Sequence, residues 1–151
     1  MAWVEFEALL QALLDPAIRL AVSTPVVDPA GDYTWAMFRK ADVLQPGAFD
    51  ALNKKGLQIL GQLSKDGNPL GVLGALEQGK ADVVVAYCSY GKVLTEKLHG
   101  ATWQPLPAVL DVPSQYGIGT AVNAAPQATR FVQFVQSEAG RTILNQYGFS
   151  Q

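Results

Sequence analysis

One cysteine and one histidine, Cys88 and His99, are all that this 151-residue chain offers to thiol and imidazole chemistry. A single thiol forms no intrachain disulfide and no thiolate metal cluster. His99 stands beside Gly100 where a helical pattern ends, the ordinary place of a solvated cap, and no acid or nucleophile partners it in sequence. No Gly-x-Ser-x-Gly elbow, Walker loop, His-Glu-x-x-His or Cys-x-x-Cys run occurs. The chain is therefore expected not to be an enzyme and to need no metal or cofactor. The remaining catalytic alternative is a reactive Cys88 after a strand. With no histidine in sequence reach, Cys88 is expected instead to act as a small hydrophobe.

Charge is also scarce. Eleven Lys and Arg face thirteen Asp and Glu, a formal net charge of −2, and the basic residues form no patch beyond the pair Lys54-Lys55. Nucleic-acid binders carry a basic stripe, so that class is excluded. No apolar run is long enough to span a bilayer. Residues 1–7 hold Glu5 and Glu7 and no basic n-region, unlike a signal peptide. A soluble chain with no export address and no membrane insertion is expected. What is present is apolar: 49% hydrophobic residues exclude disorder, and the length suits one α/β domain, residues 1–151, with a substantial core.

The spacing of Phe6, Leu9, Leu10, Leu13 and Leu14 predicts a helix over 4–14, stopped at Asp15-Pro16. A strand is expected over Ile18–Val22, and a helix over Tyr33–Ala41 capped by Asp32. Ala48–Lys55 reads as a short helix and Leu57–Leu60 as a strand, followed by a turn cluster at 64–69. A helix is expected from Leu70 to Gln78, with Leu70, Leu73 and either Leu76 or Val72 inward and Gly79 as its terminus. Asp82–Tyr87 is the strongest strand pattern, apolar on both faces as a central strand would be. Tyr90–Leu98 is expected as helix, and Thr102–Leu106 and Gln115–Val122 as strands. Pro126 opens a helix with Ala128, Phe131, Val132 and Val135 as its buried stripe, and Ser137 caps a last one. This alternation implies a three-layer sandwich around a mostly parallel sheet, with ligands gathering beyond the carboxyl ends of its strands.

The loop after the first strand, Ser23-Thr-Pro-Val-Val-Asp-Pro-Ala-Gly-Asp-Tyr33, is where chemistry is best placed. A strand feeding a helix through such a loop aims free N–H groups and a positive dipole end at one spot, a place for an anion. No Lys or Arg lies between Arg19 and Arg39, so such an anion would rest on neutral donors. Ser23 and Thr24 offer hydroxyls; Ala30, Gly31 and Asp32 offer backbone N–H groups, which Gly31 would bend into a nest. Plain strand–helix punctuation explains the same loop, with Asp32 a structural cap. Tyr87 either donates its phenol to the cleft or covers the sheet edge. Asn68 either caps the helix starting at Pro69 or turns its amide to the cleft.

Three runs carry a resemblance: Arg19–Tyr33; Asn68 with Leu73-x-x-Leu76-x-x-Gly79-x-Ala81-Asp82 and Ala86-Tyr87; and Tyr116-Gly-Ile followed by Pro126, Phe131, Phe134, Ser137-x-x-Gly140 and Tyr147-Gly148-Phe149. From Ala12 onward the chain resembles the molybdate-type, type II periplasmic solute-binding proteins of ABC transporters. The resemblance implies one lobe of such a fold: the second lobe at about 16–122, then a helical segment at about 125–149, without the first lobe. It implies that the Ala30 N–H and the Tyr87 phenol face a small oxyanion such as molybdate, tungstate or sulfate. A further donor near Asn68-Pro69 is expected, though Pro69 has no N–H, so Leu70 or Asn68 substitutes or the contact is lost. Tyr33 completes the loop motif. The resemblance also implies a periplasmic location and an ABC permease partner for a full-length parent; with Met1 as the natural start the location is cytoplasmic. Half a cleft leaves the anion wet, so binding is expected to be weak. Phe131, Phe134, Val135 and the face of 4–14 are expected to be exposed and to drive a homodimer or domain-swapped pair. A ligand-free interaction module is the alternative.

Overall fold

Four consecutive buried residues, Leu20–Ser23, make the strand about which everything else is arranged. The structure, a computed structural model, describes residues 2–61 and 71–149, with side chains from Phe6 onward. Strand β1 (Leu20–Ser23) lies between β2 (Leu57–Leu60) and β3 (Val83–Val84), both parallel to it. Ala21 is opposite Leu57 on one side and Val84 on the other.

Successive side chains of a strand point to opposite faces, and β1 divides the core on that principle. Leu20 and Val22 enter a cluster with Phe6, Leu10, Leu13, Met37, Phe38 and Leu52. These come from α1 (Ala2–Leu14), α2 (Pro29–Leu44) and α3 (Ala48–Lys55). Ala21 enters a second cluster with Leu60, Val72, Ala75, Ala81 and Leu94, supplied largely by α4 (Val72–Glu77) and α5 (Ser89–Lys97). The result is the expected α/β sandwich, helices on both faces of a small parallel sheet, consistent with one lobe of a periplasmic-binding-protein fold.

Several boundaries differ from the sequence expectation. Helix α2 begins at Pro29, not after Asp32, and its cap is Asp28. Proline suits the first helical position, where no N–H is needed, and this places the preceding aspartate at the cap. The run Asp82–Tyr87 is neither long nor central as strand: β3 is two half-buried residues at the sheet edge, and β1 holds the centre. Thr102–Leu106 and Gln115–Val122 are not strands, because among the described residues no ladder joins them to the sheet. The face of α1 is not exposed: Phe6, Leu10 and Leu13 are in the core. Helix α6 (Pro126–Gln136) has the expected stripe but buries none of it; Phe131 is 60% and Phe134 46% exposed, with Ala128, Val132 and Val135 half-buried. Ser137 does cap α7 (Glu138–Gln146), accepting from the Gly140 N–H at 3.3 Å.

The Gly79-x-Ala81-Asp82 run now has a structural cause. Gly79, at φ +61°, ends α4 in the left-handed conformation, and Ala81 drops into the second core cluster. Asp82 then grips Arg19: its Oδ2 accepts from the Arg19 backbone N–H and Nε, both at 2.9 Å, and its Oδ1 from Nη2 at 2.6 Å. The Arg19 Nη1 donates to the Gly79 carbonyl. This fork pins β3 to β1. The Arg19 hydrogen bonds hold the Asp82 carboxyl down at about 2. A carboxyl depressed in the folded state stabilises the fold above its unfolded value and loses that contribution as pH falls toward the folded one. Thermal melts between pH 5 and 2 are expected to show an acid-dependent loss from about pH 4 downward that is reduced in Asp82→Asn; a variant with an unaltered acid profile counts against it. The Arg19 and Asp82 side chains are 51% and 41% exposed, so the effect is small beside core changes.

Candidate functional site

At the carboxyl ends of the three strands the chain opens into a cleft of about 220 Å³. Ser23 reaches it from the end of β1, Leu60 from the end of β2, and Val85, Ala86 and Tyr87 from just beyond β3. Asp28 and Ala30 close it from the start of α2, and Val72 from α4. The segments after β1 and β3 therefore face one cleft, as the parallel topology requires.

The loop into α2 satisfies its own donors. The Asp28 N–H donates to the Thr24 carbonyl at 3.0 Å, and the Gly31 N–H to the Asp28 carbonyl at 2.8 Å. The Asp28 Oδ1 accepts from the Ala30 N–H at 3.0 Å, and the Asp32 Oδ1 from the Val26 N–H at 2.9 Å. Asp32 thus braces the loop from within the helix. Val26, at φ 69°, takes the left-handed conformation expected of glycine. Gly31 makes no nest of its own; it is a buried helical residue. A Cβ there would lie 2.4 Å from the Thr24 carbonyl carbon and 2.5 Å from the Pro25 nitrogen, so the helix start and the strand end touch backbone to backbone.

Two side chains bring polar handles to the cleft. Ser23 is only 4% exposed, and its hydroxyl bonds to no other described residue. That hydroxyl faces the cleft, where it can donate to a ligand oxygen. Tyr87 is half-buried between two rings, edge-on to Tyr33 at 6.3 Å and to Tyr116 at 6.1 Å. Burial, and then the neighbouring Tyr116, Asp28 and Tyr33, push its phenol up to about 12. It stays a neutral donor at any physiological pH.

Tyr116 in turn meets Phe149 at 5.6 Å. Gly148 (φ +80°) makes that approach possible, since a Cβ there would sit 2.9 Å from the Cys88 carbonyl oxygen. The Tyr147-Gly148-Phe149 ending therefore buttresses Tyr87 from behind.

Of the residues singled out in the sequence, Ser23, Ala30 and Tyr87 line the cleft together. Thr24, Gly31, Asp32 and Tyr33 build or brace its wall without lining it, and Asn68 lies outside the described residues. Asp28, Leu60, Val72 and Tyr90 were not foreseen. Asp28 carried a signal in the Asp-Pro pair, whereas the others gather only through the fold. Among the described residues Asp28 is the sole charged one on the lining, and no described Lys or Arg joins it there. Among the described residues no group of three or more His, Cys, Asp or Glu is placed to hold a metal. Cys88 is exposed rather than packed as a small hydrophobe, and His99 is exposed at its helix end.

Residues 7–150 match the sequence model of a family described as bacterial extracellular solute-binding protein. An uncharacterized protein of Pasteurella multocida (strain Pm70) is 31% identical over an alignment of 150 residues, which takes in 95% of this chain and 59% of that protein. The chain thus spans less than two thirds of that relative's length. No solved structure matches it.

Proposed function

We propose that this chain, which belongs to the bacterial extracellular solute-binding protein family, binds a small oxyanion without catalysis, and binds it weakly. The observation that supports this is the cleft beyond the three parallel strands, lined both by Ser23, whose hydroxyl has no partner among the described residues, and by the neutral Tyr87 phenol. Neutral donors recognise an oxyanion by geometry and need no formal positive charge. The resemblance to molybdate-type proteins suggests molybdate, tungstate or sulfate and, if a full-length parent exists, delivery from the periplasm to an ABC permease.

Two features support weak binding. The cleft is open to solvent, so water keeps access to the ligand and each dipole contact is diluted. The Ala30 N–H is already held by Asp28. Isothermal titration of the chain with molybdate, tungstate and sulfate is expected to give dissociation constants above about 1 μM. Submicromolar affinity in a monomer overturns the weak-binding proposal, and no heat with any anion at millimolar concentration overturns the oxyanion proposal.

A second function has its own support. Helix α6 buries no residue, and Phe131, Phe134, Ile143 and Tyr147, on α6, on α7 and at its end, are each exposed. Surfaces of that kind favour association, as in an interaction module that has lost its ligand. Sedimentation velocity separates the two: a dimer with no anion response favours the module, and a monomer that titrates with anion favours solute binding.

A further inference from the structure

We infer that α6 and α7 form a detachable arm, clasped to the lobe by the Tyr147-Gly148-Phe149 end and able to leave it as one unit while both core clusters stay folded. The inference does not depend on what the cleft binds.

The two helices are joined tightly to each other. A Cβ at Gly140 would lie 2.2 Å from the Phe134 carbonyl oxygen and 2.6 Å from that of Val135, so the start of α7 meets the end of α6 backbone to backbone. The Ser137 hydroxyl sits at this corner, donating to the Phe134 carbonyl at 2.6 Å and accepting from the Gly140 N–H at 3.3 Å.

The pair gives little to the core of the lobe. Gly140, at the corner between them, is the one buried residue of the two helices. Among the described residues neither core cluster takes a member from beyond Val112, and residues 115–123, which lead toward α6, are exposed throughout.

The end of α7 is where the clasp lies. Gly148, at φ +80°, comes so close to the start of α5 that a Cβ would meet the Cys88 carbonyl oxygen at 2.9 Å and the Ser89 nitrogen at 3.1 Å. The Lys92 ammonium stands 4.9 Å from the centre of the Tyr147 ring, and Phe149 is edge-on to Tyr116 at 5.6 Å. A segment that buries few side chains opens at a lower free energy than the core. Helices of 11 and 9 residues do not persist in water by themselves, so release of the arm is read as amide exchange along both.

Hydrogen exchange of the natural chain, of Gly148→Ala and of Phe149→Ala tests this. In the natural chain the α6 and α7 amides are expected to exchange about tenfold or more faster than those of β1 and α2. Gly148→Ala sets a side chain in a left-handed position against main chain, and is expected to speed α6 and α7 together by roughly five- to tenfold. Phe149→Ala, which adds no atom, is expected to do the same to a smaller extent. The β1 and α2 amides are expected to stay unchanged, which also shows that the variants are folded. Acceleration confined to the last turn of α7 overturns the inference, because that is fraying and not release. Protection of α6 and α7 equal to that of β1 overturns it too, as does an equal acceleration of β1 in both variants, because arm and lobe then open as one. Unchanged exchange in both variants overturns the clasp.

Discussion

Replacing Gly31 with alanine is expected to destabilise the chain by on the order of 3 kcal/mol, a fall in melting temperature of roughly 6–12 °C, and to weaken anion binding with it. The cause is contact, not backbone conformation, since Gly31 is an ordinary helical residue. The added Cβ would meet the Thr24 carbonyl carbon at 2.4 Å, the Pro25 nitrogen at 2.5 Å and the Thr24 oxygen at 2.6 Å. Those atoms are main chain, so no rotamer change relieves the clash. Either α2 withdraws from β1 or the Ser23–Pro25 backbone moves, and Ser23 is the buried end of the central strand. Urea unfolding compared with Gly71→Ala is informative, because a Cβ at Gly71 meets no described residue within 4 Å. Equal midpoints for the two variants would contradict the close approach.

Phe38→Ala is expected to cost about 3–5 kcal/mol, much of the 5–15 kcal/mol that a domain of this size usually has. Phe38 is fully buried in the cluster of α1, α2 and α3, and Trp35 leans on it at 5.2 Å. Removing the ring opens a void among Leu20, Val22, Met37 and Leu52, residues held by strand and helices that cannot all close in. The Trp35 indole, which donates to Asn53 Oδ1 at 3.1 Å, would lose its packing partner and keep its tether. Chemical denaturation checks this, with Val43→Ala on the same helix as control. Val43 is 84% exposed and its loss is expected to stay within about 0.5 kcal/mol.

How far the fold could be read depended on whether a signal was local. Ala48–Lys55 and Leu57–Leu60 were found at their expected bounds, because Gly47 and Gly56 frame the helix and an apolar run follows at once. The start of α2 was misplaced by about four residues, since Asp28 and Asp32 both satisfy a capping pattern and Pro29 decides between them. The strands expected at Thr102–Leu106 and Gln115–Val122 failed for a different reason. Their residues favour extended backbone, but a strand exists only where a neighbour supplies its hydrogen bonds.

The site was legible in the same measure. Ser23, Ala30 and Tyr87 were placed together by the rule that parallel sheets gather ligands at one end. The Asp28 carboxylate on the lining was not, because a cap read along the sequence gives no hint of what its second oxygen faces. Tyr116 and Phe149 were noticed as a pattern, and only the ring contacts reveal that they hold Tyr87.

The position of β1 also governs how the cleft opens in time. Ser23 ends a strand flanked on both sides, whose amides are expected to be among the last to exchange with solvent. Tyr87 lies past the last rung of a two-residue edge strand, held there by the Val85 N–H on the Ala21 carbonyl and by aromatic edges. One wall of the cleft is thus expected to open slowly and the other fast. A ligand bridging Ser23 and Tyr87 would couple the two, slowing the breathing of the Tyr87 wall far more than it raises the resistance of the sheet to global unfolding.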